Sequence, residues 1–466
     1  METGISGRRT LYNIFAELCA YITAAPSSNY LVKYGCISLR ERQRIEGRIE
    51  RAAIHGMSSG KRFAPLENED IDDVFLYKLN AFSSSLKIED DKNCIIRLLQ
   101  YLDEALEKIL KDEAVRFENA ETECGLNDNR SSTGIELLPR FNCVWARKSR
   151  QSYSHRRIDN YLRNLIVIDE TMLREIKDRH IFIPKGFFKN FDKTKKIKIS
   201  ASPLSSAANF KTEFSERDDL QIFSLDYYKD QEEKYNALVW GKIKISGENG
   251  SDIVVFPEML GNSSMEEYIC KKLQKLSDEE RRKIPPLIIL PSYFVEQQNY
   301  SSIIDSFGNV MARQYKHNPY IMFQKNEEYM EDIVGESEIV IFHYEGIGRF
   351  AVFICKDFLT TRYMERIMRS LMLTLIIVPA YSTGAYDFKT SFDLCTHDYC
   401  NVVWINSCAA MAPGKEDNFR YIGYVRKRVG RYADESDGSY EMIPCKELFH
   451  GECDHNCIYY DQFGAV

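Results

Sequence analysis

IVIFHYEGIGRFAVFICKDF (339–358) holds two apolar runs on either side of Glu345–Gly348, and the second run stops at a cysteine. β-Branched and aromatic residues fill both runs and a short glycine-bearing segment joins them, which predicts a β-hairpin. Outward from it, TLIIVPA (374–380) and NVVWINS (401–407) read as further strands. Upstream, HIFIPKGFF (180–188), KKIKISASPL (195–204), LQIFSLDY (220–227), SDIVVFPE (251–258) and PLIILPSYF (286–294) predict strands. EEKYNALVWGKIKISGE (232–248) and the charged stretch 264–283 predict helices, and YSSIIDSFGNVMARQYKH (300–317) predicts a second hairpin turning at Ser306–Asn309. Alternating strands and helices make this part an α/β domain, and the hairpins make its sheet mixed rather than purely parallel.

The texture before residue 180 differs. Residues 92–116 place Ile95, Leu98, Leu99, Leu102, Leu106, Ile109 and Leu110 on one stripe of a predicted helix. Helical patterns recur over 8–24, 40–55 and 157–178, the stretch 118–134 reads as an exposed loop, and KNFDKTKK (189–196) as a basic linker. The expected division is a mainly helical region over 1–185 and an α/β domain over 195–466. The first region carries no repeat and no catalytic signature.

At 466 residues the chain has room for two or three cores, and 44% apolar with 28% charged residues is the composition of a globular protein. A formal charge of -7 argues against nucleic acid as the main partner. The basic run Arg147–Arg157 reads as a solvated loop and helix start. The first 25 residues have helical spacing rather than the core of a secretory signal, and LMLTLIIVPA (371–380) is too short to span a bilayer, so a cytoplasmic location is the expectation. Thirteen scattered cysteines fit reduced thiols better than a disulfide scaffold.

Three residues lie where an apolar strand ends or beside one. Glu258 ends SDIVVFPE, at the sheet edge where the sites of α/β folds gather, and partial desolvation there would make it a better proton acceptor. Cys355 ends FAVFIC and is followed by Lys356 and Asp357; a thiol there is open to attack chemistry, although most free cysteines are small core residues. Lys316 follows the alternating VMARQY, where an isolated lysine is ordinarily a solvated edge charge.

Order and spacing give these three a common meaning. VVFPE (254–258), GNVMARQYK (308–316) and FICKD (353–357) together resemble the motifs of the carbon–nitrogen hydrolase (nitrilase) family, over somewhat more than half of the chain. Asn299, IIVPA (376–380) and VVWINS (402–407) resemble its accompanying features. The resemblance implies an αββα sandwich behind the helical N-terminal region, and a homodimer or larger homo-oligomer formed through the helix near 360–372. It implies hydrolysis of a small amide or nitrile through a thioester, with Glu258 as base, Cys355 as nucleophile, and Lys316 with the Lys356 N–H stabilising the oxyanion. It requires no metal and no organic cofactor. An assisting glutamate follows the lysine in this family; Glu327 and Glu328 stand eleven and twelve residues on, and Glu328 is preferred. Lysine after the cysteine is a departure that points to an anionic substrate or an unusual thiol, and FLTTRYMER (358–366) replaces the family's usual continuation, which leaves the substrate open.

Some members of the family are fused to reverse transcriptases, but no paired-aspartate polymerase motif is present here, nor a P-loop or dinucleotide fingerprint. CKELFHGECDHNC (445–457) lacks the paired spacing of a zinc site and is read as ordinary thiols. A Cys–His reading would need His343 or His397 beside Cys355. The alternative to an enzyme is a silent nitrilase-like scaffold whose N-terminal helices engage a protein partner.

Overall fold

The structure is a computed structural model that describes the chain except residues 1, 24–29, 59–61, 87–89, 120–124, 146–156, 325, 336–337, 389–390, 393–399, 412–418, 428–438, 446–447, 449–456 and 465–466. Most of the basic run 147–157, together with His397, His450, Cys453 and His455, lies outside the described residues. The chain divides into two compact units: Met1–Phe141 with Arg147–Arg174, and Asn142–Ala146 with Glu175–Val466. No helix among the described residues is long and apolar enough to cross a membrane.

The first unit is built from α1 (Glu2–Thr23), α2 (Tyr30–Gly35), α3 (Leu39–Arg51), α4 (Asp73–Ser85), α5 (Lys92–Ala105), α6 (Glu107–Glu118), the single turns α7 (Arg130–Thr133) and α8 (Glu170–Leu173), and the antiparallel pair β1 (Ile135–Pro139) and β2 (Leu165–Asp169). The helix expected over 92–116 is interrupted at Leu106, where the Ala105 carbonyl is taken by the Leu66 N–H at 2.9 Å. The helix expected over 157–178 is a correction: Leu165–Asp169 is a strand in register with Ile135–Pro139. Its β-branched run favours that pairing, and the Asp103 carboxylate draws the N–H groups of Arg163, Asn164 and Leu165 out of any helical ladder.

The second unit is a mixed α/β structure. Its elements are β3 (Lys177–Phe182), α9 (Lys189–Thr194), β4 (Lys196–Ala201), β5 (Phe210–Arg217), β6 (Leu220–Tyr227), α10 (Glu232–Glu248), β7 (Ile253–Val255), α11 (Met265–Gln274), α12 (Asp278–Arg281), β8 (Leu287–Ile289), β9 (Tyr293–Val295), β10 (Gln298–Asp305), β11 (Val310–Tyr315), β12 (Ile321–Gln324), β13 (Glu327–Glu331), β14 (Glu338–Tyr344), β15 (Gly348–Val352), α13 (Lys356–Leu359), α14 (Thr361–Leu371), β16 (Leu375–Pro379), β17 (Asn401–Ile405), β18 (Gly423–Arg426), β19 (Ser439–Met442) and β20 (Tyr459–Gly464). One seven-stranded sheet runs β11-β10-β8-β7-β4-β20 with β9 beside β10, and the other runs β19-β18-β17-β16-β15-β14-β3. A four-stranded sheet, β12-β13-β6-β5, stands apart from both.

The two predicted hairpins are antiparallel pairs, β10 with β11 and β14 with β15. Gly346 and Gly348 turn the second at φ of 96° and 85°, and a Cβ on Gly348 would stand 2.8 Å from Thr374 Oγ1. The expected linker 189–196 instead forms α9, whose Phe191 is buried, and the charged stretch 264–283 is cut by a capping box at Ser277–Glu280.

Alternate residues of the strands serve different cores, as the two-residue period dictates. Ile253, Val255, Leu287 and Ile289 join Phe350, Val352, Leu375, Ile377, Val403 and Ile405 in one apolar cluster, so the two seven-stranded sheets share it. Val254, Phe256 and Ile288 face the other way and pack with Val239 and Ile243 of α10 and Ile269 and Leu273 of α11. Each of these side chains contributes about 1.5–3 kcal/mol by leaving water. Trp145 adds to the shared core from the segment Asn142–Ala146, its indole N–H bonded to the Thr374 carbonyl at 2.9 Å.

Candidate active site

β7, β8 and β15 bury every residue they contain, so the polar residues just beyond strand ends are the first that the fold holds without sheet pairing. Glu258 follows β7 after Phe256 and Pro257, and its N–H donates to the Ala380 carbonyl beyond β16. Lys316 follows β11, and its N–H donates to the Asn299 carbonyl at 2.8 Å. Cys355 lies three residues past β15, and its N–H donates to the Pro379 carbonyl at 2.9 Å.

Side chains from these separate ends meet in one hydrogen-bonded group. Lys316 Nζ donates to Glu258 Oε1 at 2.8 Å and to Glu331 Oε2 at 2.6 Å. Asn299 Nδ2 donates to the same two carboxylates at 2.9 and 3.1 Å. The Tyr381 N–H donates to Glu258 Oε2 at 3.0 Å, and the Tyr320 N–H to Glu331 Oε2 at 3.0 Å. The buried Cys355 thiol lies beside this group, within reach of the Glu258 and Lys316 charges. Glu258 and Glu331 are 0% exposed, Lys316 1% and Cys355 5%, so every charge here is held out of water.

Burial raises the Glu258 carboxyl above its ordinary range and Glu331 adds to this, while Lys316 opposes it. Burial also raises the Cys355 thiol, and the Glu258 charge raises it further, so the resting sulfur is protonated. For Lys316 burial acts downward, but Glu258, Glu331 and Cys355 outweigh it and keep the ammonium charged. The group thus brings a charged ammonium and a protonated thiol against the Glu258 carboxyl. Passing the thiol proton to Glu258 leaves its net charge unchanged, which spares the cost of creating a new buried charge.

The structure does not bring Glu328, the expected assisting glutamate, into this group. Glu328 is exposed on β13 opposite Phe323, and Glu327 is exposed and bonded to the Tyr329 hydroxyl. Glu331, at the far end of that strand and 15 residues after Lys316, holds the ammonium. Successive strand residues face opposite ways, so a glutamate must be chosen by strand face and end rather than by distance from the lysine. Lys356 opens α13, where no carbonyl of that helix can accept its N–H. His343 is hydrogen-bonded to His180 at 2.8 Å and stacked on Phe182, at the β14–β3 edge.

Two further residues brace the site. Asp357 accepts the backbone N–H groups of His317 and Asn318 and the Asn318 amide at 2.7–3.1 Å, fastening the segment after Lys316 to the segment after Cys355. Asn406, just past β17, donates to the Ser382 carbonyl at 2.7 Å and accepts its N–H at 2.9 Å, holding the turn that presents the Tyr381 N–H.

No family model matches this sequence, and no curated protein does. Among solved structures, the chain is similar to the C. elegans NitFhit protein at 14% identity and a TM-score of 0.37, over 58% of this chain and 61% of that one. The likeness thus spans less than two thirds of NitFhit. It is also similar to a mutant amidase from Nesterenkonia sp. AN1 carrying the acetamide moiety of fluoroacetamide at its active-site cysteine, at 14% identity and a TM-score of 0.34 over 49% of this chain and 82% of that one. Saccharomyces cerevisiae Nit3, described as a member of branch 10 of the nitrilase superfamily, matches at 15% identity and a TM-score of 0.30 over 55% and 93%. Likenesses at this level assign neither a residue nor an activity to this chain.

Proposed function

We propose that the unit containing Glu175–Val466 is a cysteine hydrolase of small, non-peptide carbon–nitrogen bonds, built as an αββα sandwich of the nitrilase type. One observation carries this reading: Glu258, Lys316 and Glu331 form a single buried group joined by hydrogen bonds, and the buried Cys355 thiol lies within reach of its charges. Burying such charges costs several kcal/mol each before pairing, which a merely structural strand end has no need to meet.

In the proposed reaction Glu258 takes the thiol proton as the Cys355 sulfur attacks the carbonyl carbon of an amide. An ammonium has three donors and Lys316 uses two on carboxylates, so its third, with the Lys356 N–H, stabilises the oxygen as it gains charge. Glu258 returns the proton to the departing nitrogen, ammonia leaves, and a thioester remains. Glu258 then accepts a proton from water, whose oxygen attacks the thioester. The acid is released, the sulfur regains its proton, and the sum is amide plus water giving acid plus ammonia. Glu331 and Asn299 keep Lys316 and Glu258 aligned through both halves.

The test is chloroacetamide labelling of the folded, full chain with peptide mapping, using the exposed Cys36 as internal reference. Cys355 is expected to react faster than Cys36, and Glu258→Gln to slow it about a hundredfold. Labelling of Cys355 no faster than Cys36, and unchanged in that variant, would sink the proposal. Ammonia release from a panel of amides then reports turnover.

A further inference from the structure

Two segments that hydrogen-bond directly to the buried carboxylates run out from them to solvent. Glu331 Oε2 accepts the N–H of Tyr320 at 3.0 Å, and Glu258 Oε2 accepts that of Tyr381 at 3.0 Å. Tyr320 itself is 41% exposed. The second segment continues to Asp387, which is also exposed.

The place of Asp387 is fixed by what flanks it. Asn406 holds Ser382 through both its N–H and its carbonyl, and the Ser382 hydroxyl donates to the Gly384 carbonyl at 2.9 Å. Ala385 is buried, and the buried Phe388 ring stacks on Trp404 with centroids 4.8 Å apart. Tyr386 and Asp387 are the exposed pair between these two anchors.

The Tyr320 hydroxyl connects both segments to the sulfur. Burial raises it above its ordinary value, the Cys355 and Asp387 charges raise it further, and Lys316 lowers it, so all three lie within electrostatic reach of one hydroxyl. A tyrosine ring presents a negative face, and a carboxylate beside it adds a full charge. A cation is what such a pair recognises.

We propose that Tyr320 and Asp387 set the substrate class of this site, a small amide whose far end carries an ammonium group. The ammonium rests on the Tyr320 ring and against the Asp387 carboxylate while the amide carbon reaches Cys355. The assignment rests on the hydrolase reading above and narrows it. The anionic substrate expected from Lys356 is its direct rival.

The test is protection of Cys355 in the full chain from chloroacetamide, by 4-aminobutyramide as cation, pentanamide as its neutral counterpart and succinamate as anion. The cation is expected to protect at a concentration about five- to tenfold below the other two. Asp387→Asn should remove most of that advantage, and Asp387→Lys should turn it toward succinamate. Tyr320→Leu, which keeps the N–H on Glu331, should lower it about threefold. Glu216→Gln, exposed on β5, should leave it unchanged. Both Asp387 variants alter a surface residue, so they are expected to fold. Equal protection by the three amides, best protection by succinamate that Lys356→Gln abolishes, or an advantage that survives Asp387→Asn would each overturn the proposal while leaving Glu258-dependent labelling, and with it the hydrolase reading, intact. Unprotected Cys355 reacting no faster than Cys36 would instead remove the hydrolase reading and this one together.

Discussion

The Asp357 carboxylate receives the backbone N–H of His317 at 3.0 and 3.1 Å, so the residue two places after the sulfur grips the chain one place after the ammonium. Asp357 is 1% exposed, and asparagine in its place would turn an amide toward these donors. Asp357→Asn is expected to cost about 3 kcal/mol in urea unfolding. It is also expected to slow Cys355 labelling by loosening Lys316, with no change at Cys36.

Lys316→Met would leave Glu258 and Glu331 facing each other without their cation. Removing one member of a buried charge group destabilises by about 3–5 kcal/mol. Adding Glu331→Gln to Lys316→Met removes one of the two stranded charges, and the double variant is expected to be the more stable. Equal stabilities would mean that the two carboxylates do not share the ammonium.

Glu331→Gln alone is expected to slow Cys355 labelling about tenfold or more, through misorientation of Lys316. Glu328→Gln is expected to stay within about twofold of the parent, because a surface substitution on β13 touches none of the group. The same labelling assay compares them directly.

The labelling rate carries a pH signature. Glu258 serves as base only when ionised, and its carboxyl lies above the ordinary 4.5 because it is buried. Cys355 labelling should therefore rise with pH through a step displaced above that value. Glu258→Gln should lose the step and leave only the late rise of a buried thiol.

Asp252 gives a stability counterpart. Burial raises its carboxyl from 3.8 to about 6, and its Oδ1 has no hydrogen-bond partner. The native state keeps a proton that the unfolded chain loses first, so this group's contribution to stability is greatest at low pH and declines as pH rises from about 4 to about 6. The decline amounts to about 3 kcal/mol. Urea midpoints at pH 4.5 and 7.5 should differ less in Asp252→Asn than in the parent, with the variant the more stable at the higher pH.

The positions of Glu258, Lys316 and Cys355 were readable because strands or hairpins with clear patterns run up to them, in IVVF, VMARQY and FAVFI. Glu331 was not. β12 and β13 are largely exposed on both faces, so IMFQ and EEYME show no apolar alternation to mark a strand, and without the strand no face can be chosen. β5 was hidden for the same reason: FKTEFSER buries only its first residue and leaves the rest mostly in water. The error over 157–178 had the opposite origin, since Leu165–Ile168 is apolar enough for either structure and only its partner strand decides. The binding roles of Asn299 and of the Tyr381 N–H arise from contacts between residues far apart in sequence, 41 and 123 positions from Glu258, which no local pattern records.

Cys355 sits at φ 46° and ψ −98°, a conformation that a side-chain-bearing residue holds only when its surroundings impose it. The direction of the Cα–Cβ bond is thus dictated by the main chain on either side, pinned at Pro379, before any torsion within the side chain is chosen. Serine at this position would inherit the same aim, whereas glycine would let the peptide relax into a shape that no longer points anything at Glu258. The sulfur's bearing is a property of the backbone, and loops added or shortened at its flanks would redirect it even with every side chain kept.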